Sequence, residues 1–168
     1  SFFIEIPQEY SRLINEYRLD KKACRKKHGL SVADFVIIST GNAPKYHPIS
    51  TIDYVRTLFP IVAKYPRLKV LAIGADPNSL YWIEANKKTD GRIIALGKVK
   101  SKQQYYELLK SADLYIGTFP LASYMAMMDA VQVGLPFLQL QVMTQENTTW
   151  GLDAKEDESV LWPSTLKD

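Results

Sequence analysis

The residues with the clearest chemical potential lie between Ala112 and Pro136. There the short apolar run Leu114-Tyr115-Ile116 leads through Gly117-Thr118-Phe119-Pro120 into a helical pattern that Gly134 closes. Such a run suits a strand buried on both faces. The helix it feeds leaves its first backbone N–H groups without intrahelical partners, and such groups can hold a phosphate. Asp129 sits roughly two turns further on, too deep for a cap but well placed to accept from a ribose hydroxyl beside bound phosphates. A nucleotide-diphosphate site is the chemistry these residues point to.

Two other loops fit the same chemistry. In Ser39-Thr40-Gly41-Asn42-Ala43-Pro44-Lys45, Gly41 lets the backbone approach a diphosphate and Lys45 supplies a point charge. The plain alternative is a Gly/Pro turn with Lys45 in water, since the loop lacks P-loop spacing and no strand here leads into a GxGxxG fingerprint. The stretch Gly97-Lys98-Val99-Lys100-Ser101-Lys102-Gln103-Gln104-Tyr105 combines lysines with an aromatic ring able to stack on a base. Ser101 with Gln104 also reads as an ordinary capping box.

The elements that must position these groups alternate. Strands are expected at Phe35–Ser39, Lys69–Ile73, Arg92–Leu96, Leu114–Ile116 and Pro136–Leu140, and helices at Ser50–Lys64, Asn78–Lys88, Lys102–Ser111 and Ser123–Val133. A helix is expected over Gln8–His28, with Gly29 as its stop and its basic end exposed. Pro60 is expected to kink its helix or end it early. Further on, Thr144–Leu152 reads as a short helix, Asp153–Glu158 as exposed acidic chain and Ser159–Trp162 as a sixth strand. This rhythm predicts an α/β, doubly wound, Rossmann-like parallel sheet of about six strands with helices on both faces. Ligands of such sheets bind outside the carboxyl ends of the strands, at Gly41–Pro48, Gly74–Pro77, Gly97–Lys102 and Gly117–Ser123.

Composition narrows the class. The 168 residues form one domain of ordinary globular make-up, 46% hydrophobic and 23% charged, with no apolar run near membrane-spanning length. A balance of 21 basic to 18 acidic residues gives no general case for nucleic-acid binding. The basic group Lys21, Lys22, Arg25, Lys26 and Lys27 reads first as a solvated helix face and second as contact with an anionic membrane surface or polymer. Cys24, the lone cysteine, fits a reducing compartment, so a cytoplasmic location is expected. His28 and His47 are far apart without carboxylates at ligand spacing, so no metal site is expected, and no Ser/His/Asp order points to a hydrolase. Met125, Met127 and Met128 read as helix packing. The abrupt apolar start Ser1-Phe2-Phe3-Ile4 reads as an excised piece of a longer protein.

Taken in order, Gly41-Asn42 with Lys45, the Gly97 loop, Ala112-Asp113-Leu114, Asp129-Ala130 and Gly134-Leu135-Pro136 resemble the C-terminal, nucleotide-sugar-binding domain of GT-B glycosyltransferases. The resemblance covers roughly Asp34 to Leu140 and is closest to O-linked N-acetylglucosamine transferases and bacterial protein glucosyltransferases, then to retaining GT-B families. It implies a domain plan of an N-terminal helical lead-in over 1–33, a nucleotide-sugar domain over 34–152 and a C-terminal extension over 153–168. A UDP-sugar is the implied donor and no cofactor is called for. Lys45 would bind the diphosphate, with Lys98 and Lys102 on the neighbouring loop and Lys102 near the ribose and phosphates. Tyr105 would pack on uracil, Asp129 would accept from the ribose, and Ser123, Tyr124 and Met125 would offer amides to the distal phosphate. The acceptor and any general base would belong to a missing N-terminal domain, so no catalytic residue is assigned.

Departures from the family pattern are specific. Retaining members often carry two glutamates seven positions apart, where this chain has Ala122 and Asp129, and O-linked transferases place paired threonines where it has Met125 and Ala126. A second reading follows: a non-catalytic GT-B module that scaffolds or stabilises a glycosylation or secretion assembly. A nucleotide-sugar epimerase would need acid/base groups that the chain barely offers.

Overall fold

The computed structural model of the chain describes residues 19–49 and 51–140. The sixth strand and short helix expected beyond Leu140, and the expected helix before Leu19, lie outside these residues. Among the described residues five parallel strands form one sheet: β1 Phe35–Thr40, β2 Leu68–Ile73, β3 Ile93–Gly97, β4 Leu114–Ile116 and β5 Phe137–Leu138, in the order β3-β2-β1-β4-β5. Ile37 of β1 is in register with Val70 on one side and with Leu114 on the other. The chain therefore reverses direction across the sheet between β1 and β4, which makes their carboxyl ends the topological switch point.

Among the described residues five α-helices cover the two faces: α1 Lys21–Lys27, α2 Tyr54–Lys64, α3 Leu80–Lys88, α4 Lys102–Ser111 and α5 Tyr124–Gln132. Alternation along the strands divides the core. Ile37, Val70 and Ala72 pack with Tyr54, Leu58 and Val62 of α2 and Trp82 of α3. Val36, Ile38, Leu71 and Ile73 pack with Leu108 and Leu109 of α4 and Met127 and Ala130 of α5. Burying both faces explains the near-continuous apolar strands, each large side chain adding roughly 1.5–3 kcal/mol.

The helix boundaries show where capping overrides periodicity. Asp20, expected inside a helix running to His28, is extended (φ −93°, ψ 129°), and its carboxylate accepts from the Ala23 amide, so α1 begins at Lys21. Asp53 caps α2 in the same way through the Arg56 amide, which moves the helix start from the expected Ser50 to Tyr54. Pro60 lies inside α2 without ending it. Its missing donor is on the exposed side, while the buried Leu58 and Val62 hold the segment to the sheet. Met125, expected to pack, is 64% exposed, whereas Met127 is buried.

Helix α1 is stitched to α4 by charge. Arg25 is 5% exposed, and its Nε donates to the Ser111 carbonyl at 2.9 Å. One terminal nitrogen donates to the Val32 and Asp34 carbonyls at 3.1 Å each, and the other bonds the Asp113 carboxylate. Lys21 pairs with Asp113 at 2.7 Å and Lys27 with Glu107 at 2.8 Å. Lys22, Lys26 and Lys27 are exposed, as expected of a solvated helix face, whereas Arg25 departs from that expectation because its guanidinium is buried among carbonyls and the Asp113 carboxylate.

Candidate functional site

Three carboxyl-end loops are laced together by main chain. The Gly41 amide donates to the Ile73 carbonyl at 3.1 Å, Gly74 to Gly97 at 2.7 Å and Gly97 to Ala75 at 3.0 Å. Gly74, at φ +81°, lies so close to the Gly41 carbonyl that a side chain there would collide with it. Between the loops opens a cleft of about 750 Å³, lined by Thr40–Pro44, by Ile73–Pro77 and by Gly97, Lys98, Val99 and Tyr105. It lies at the edge where doubly wound sheets take their ligands.

The fourth loop, between β4 and α5, closes on the first. A Cβ on Gly41 would sit 2.9 Å from Thr118 Cγ2 and 3.0 Å from Ser123 Oγ, so this close approach requires glycine. Lys45 leaves its short 3₁₀ turn, Ala43–Tyr46, and donates from Nζ to the Ala122 carbonyl at 2.9 Å. Tyr46 anchors that turn: it is fully buried, and its hydroxyl donates to the Ile73 carbonyl at 2.9 Å. Ser123 is the N-cap residue of α5, but its side chain caps nothing. Its hydroxyl is instead 3.1 Å from that of Thr118. The first amides of α5 are left uncapped by a side chain, with the Lys45 cation held one residue before the cap.

Asp129 lies behind the cleft wall. The Tyr105 hydroxyl donates to its Oδ2 at 3.0 Å and the Tyr106 hydroxyl to its Oδ1 at 3.4 Å. The two rings stand edge to face, 5.3 Å between centroids. Burial raises the Asp129 carboxyl above the usual range, while both phenols and the Lys102 ammonium pull it back. Burial, reinforced by the Asp129 charge, pushes the Tyr105 phenol far above its ordinary value and keeps it a proton donor. Lys102 opens α4, whose Ser101 cap accepts from the Gln104 amide at 3.1 Å. The returning Gln104 carbonyl takes the Lys100 amide at 3.0 Å rather than that of Ser101.

The residues singled out from sequence therefore gather at one edge. Gly41, Asn42, Lys98 and Tyr105 line the cleft. Lys45 and Ser123 meet at the fourth loop, and Tyr124 and Met125 are exposed at the start of α5. Lys102 and Asp129 join the cleft through Tyr105. Sequence reading gives no individual role to Tyr106, Thr40 or Gly74, although Thr40 and Gly74 stand in loops it names. Adjacent tyrosines give no periodic signal for sharing one acid. Gly74 opens a loop expected from sequence at the carboxyl edge of the sheet, but nothing in the sequence shows its close approach to the Gly41 carbonyl. Among the described residues, no group of three or more His, Cys, Asp or Glu is arranged to hold a metal ion. Among the same residues, no helix is long and apolar enough to cross a membrane.

No protein-family model matches the chain, and no curated protein matches it. Among solved structures it is similar to WaaG, a glycosyltransferase involved in lipopolysaccharide biosynthesis, with a TM-score of 0.54 and 16% identity over 71% of this chain and 32% of that one. It is also similar to the C-terminal domain of LpcC, a glycosyl transferase group 1 family protein from Francisella tularensis. That match has a TM-score of 0.53 and 13% identity over 72% of this chain and 65% of the other. The chain thus spans 32% of the first structure and 65% of the second. Likeness at these identities is likeness of fold alone, and the fold this chain shares with these two glycosyltransferase structures is the α/β arrangement described above.

Proposed function

We propose that the chain is the donor-binding domain of a cytoplasmic glycosyltransferase. It binds a nucleotide-diphosphate sugar, with uridine as the nucleoside, for transfer to an acceptor held by an N-terminal domain of a larger protein. Residues 34–152 form the donor domain on this reading, 1–33 its lead-in and 153–168 an extension. The observation that carries it is the meeting of Lys45 with the uncapped start of α5 at the switch point between β1 and β4. A cation and a set of free amides at one place suit a diphosphate better than any neutral ligand.

The division of labour proposed here takes its roles from the resemblance. Lys45 leaves the Ala122 carbonyl for the diphosphate and, with the amides of Tyr124 and Met125, stabilises charge that develops as the sugar departs. Gly41 and Asn42 let the first loop lie against the phosphates. Lys98 and Lys102 add positive potential, the Tyr105 ring packs on the base, and Asp129 accepts from the ribose. Calorimetric titration with UDP tests this directly. Binding near the micromolar range, about 8 kcal/mol, that is lost in Lys45→Ala supports the reading. Absence of binding to the unaltered protein rejects it.

Ala122 favours a second reading, that of a non-catalytic module in a glycosylation or secretion assembly. Its position holds no carboxylate to meet a donor sugar, and its carbonyl is occupied by Lys45. A full-length protein that binds UDP yet neither hydrolyses nor transfers any sugar nucleotide would decide for the module.

A further inference from the structure

Asp129 is not among the residues that line the cleft, whereas Tyr105, which bonds its Oδ2, is. A hydroxyl group arriving from the cleft therefore meets the Tyr105 phenol before it meets the carboxylate. The other oxygen is taken from behind by Tyr106, which is 4% exposed. A half-buried carboxylate that lost such donors would be left undersolvated in the empty protein.

We propose that the Tyr105 hydroxyl is an internal stand-in for a ribose hydroxyl, covering Asp129 while the cleft is empty and giving way when a nucleoside enters. This rests on the donor-site reading above and names what that reading lacks, the residue that sets how strongly the site responds to the sugar of the nucleotide. In the unaltered protein, binding exchanges one hydrogen bond on Asp129 for another, so the ribose hydroxyls contribute little net affinity. The ring and the hydroxyl of Tyr105 then have separate uses. The ring forms cleft wall in both states, while the hydroxyl serves the empty state alone.

The substitution Tyr105→Phe keeps the ring and deletes the competing donor. The test is calorimetric titration of the full chain with UDP and with 2′,3′-dideoxyuridine diphosphate, which lacks both ribose hydroxyls. We expect Tyr105→Phe to bind UDP about three- to tenfold more tightly than the unaltered protein and to bind the dideoxy analogue equally well. The gain should vanish when Asp129→Asn is added.

A pH profile supplies a readout that lost packing would not move. The groups around Asp129 are Lys102, Tyr105 and Tyr106 of α4 and Tyr115 of β4. Loss of one phenol raises the carboxyl further, so the acid-side fall in UDP affinity should begin at higher pH in Tyr105→Phe. UDP binding that is weakened or unchanged by Tyr105→Phe overturns the inference while leaving the donor site standing. So does an equal gain for the dideoxy analogue. No UDP binding by the unaltered protein overturns both.

Discussion

The Lys45 ammonium and the Ala122 carbonyl, 77 positions apart in the chain, are joined by a 2.9 Å hydrogen bond across the switch point of the sheet. The bond ties the turn after β1 to the loop that launches α5. Its acceptor is a neutral carbonyl, and no ion pair is found for Lys45 among the described residues. A cation held this way keeps most of its charge for an incoming anion, because a charge-assisted contact with phosphate is stronger than one with a carbonyl.

Replacing Lys45 by alanine should therefore cost UDP binding more than it costs the fold. The bond to Ala122 is exposed, so its loss should lower stability by at most about 1 kcal/mol. A lost contact between the ammonium and a phosphate should weaken UDP binding by about ten- to a hundredfold, from roughly 1.5–3 kcal/mol. Calorimetry and a urea melt on the same sample check the two halves. A variant that binds UDP as the parent does would remove Lys45 from the site.

Gly74→Ala should do the reverse, damaging the framework first. At φ +81° an alanine is strained, and its methyl group would run into the Gly41 carbonyl, which is backbone and cannot swing aside. The first loop would have to move off the second, breaking the amide lacing that shapes the cleft. We expect a loss of at least about 2 kcal/mol in chemical denaturation. Gly91→Ala is the control, because Gly91 also has positive φ but would meet no atom within 4 Å. Equal losses in the two variants would show that backbone strain alone, and not the collision, sets the effect.

These residues also show what a sequence can disclose. The strands and helices were legible because period-2 and period-3.6 patterns are strong where both sheet faces are buried, and α4 occupies its expected span, Lys102–Ser111. Asp20 and Asp53 were less legible, because a capping carboxylate resembles an ordinary polar residue until the chain is seen to turn there. Lys45, Asp129 and Tyr105 could be nominated from loop position and residue type. Their mutual arrangement could not, since the Tyr105 and Tyr106 bonds to Asp129 join residues 24 and 23 positions apart. Nothing local encodes those pairings. Within the basic cluster Arg25 alone misled, for a related reason: it looks like its neighbours in sequence, but the turn after α1 presents three carbonyls to its guanidinium.

Arg25→Ala should accordingly be among the most damaging single changes outside the cleft. It would strip donors from the Ser111, Val32 and Asp34 carbonyls and leave Asp113 with Lys21 and the Val36 amide as partners. Breaking a buried, hydrogen-bonded ion pair from one side costs about 3–5 kcal/mol. Arg25→Lys should recover little, because one ammonium cannot reproduce a planar fork that reaches acceptors in several directions. Thermal melts of the two variants check this, and a lysine variant as stable as the parent would show that charge rather than geometry is what α1 needs.

The same contacts set the response to acid. Burial pushes the Asp113 carboxyl up, but Lys21, the Val36 amide and Arg25 together bring it below the ordinary aspartate range. Glu107 is likewise lowered, chiefly by its bond from Lys27 and against the opposing effect of burial. A carboxyl lowered by folding contributes stability above its unfolded value, and that contribution is lost as the pH falls through the folded value. Asp129 is shifted the other way, so its protonation on acidification favours the folded state and offsets part of the loss. The melting temperature should thus vary little from neutrality to about pH 5 and fall below about pH 4, where unfolded aspartates and glutamates take up protons before Asp113 and Glu107 do. Asp113→Asn should be less stable at neutral pH and should show a shallower fall in acid. An acid slope unchanged by that substitution would mean that the junction of α1 with α4 does not govern the transition.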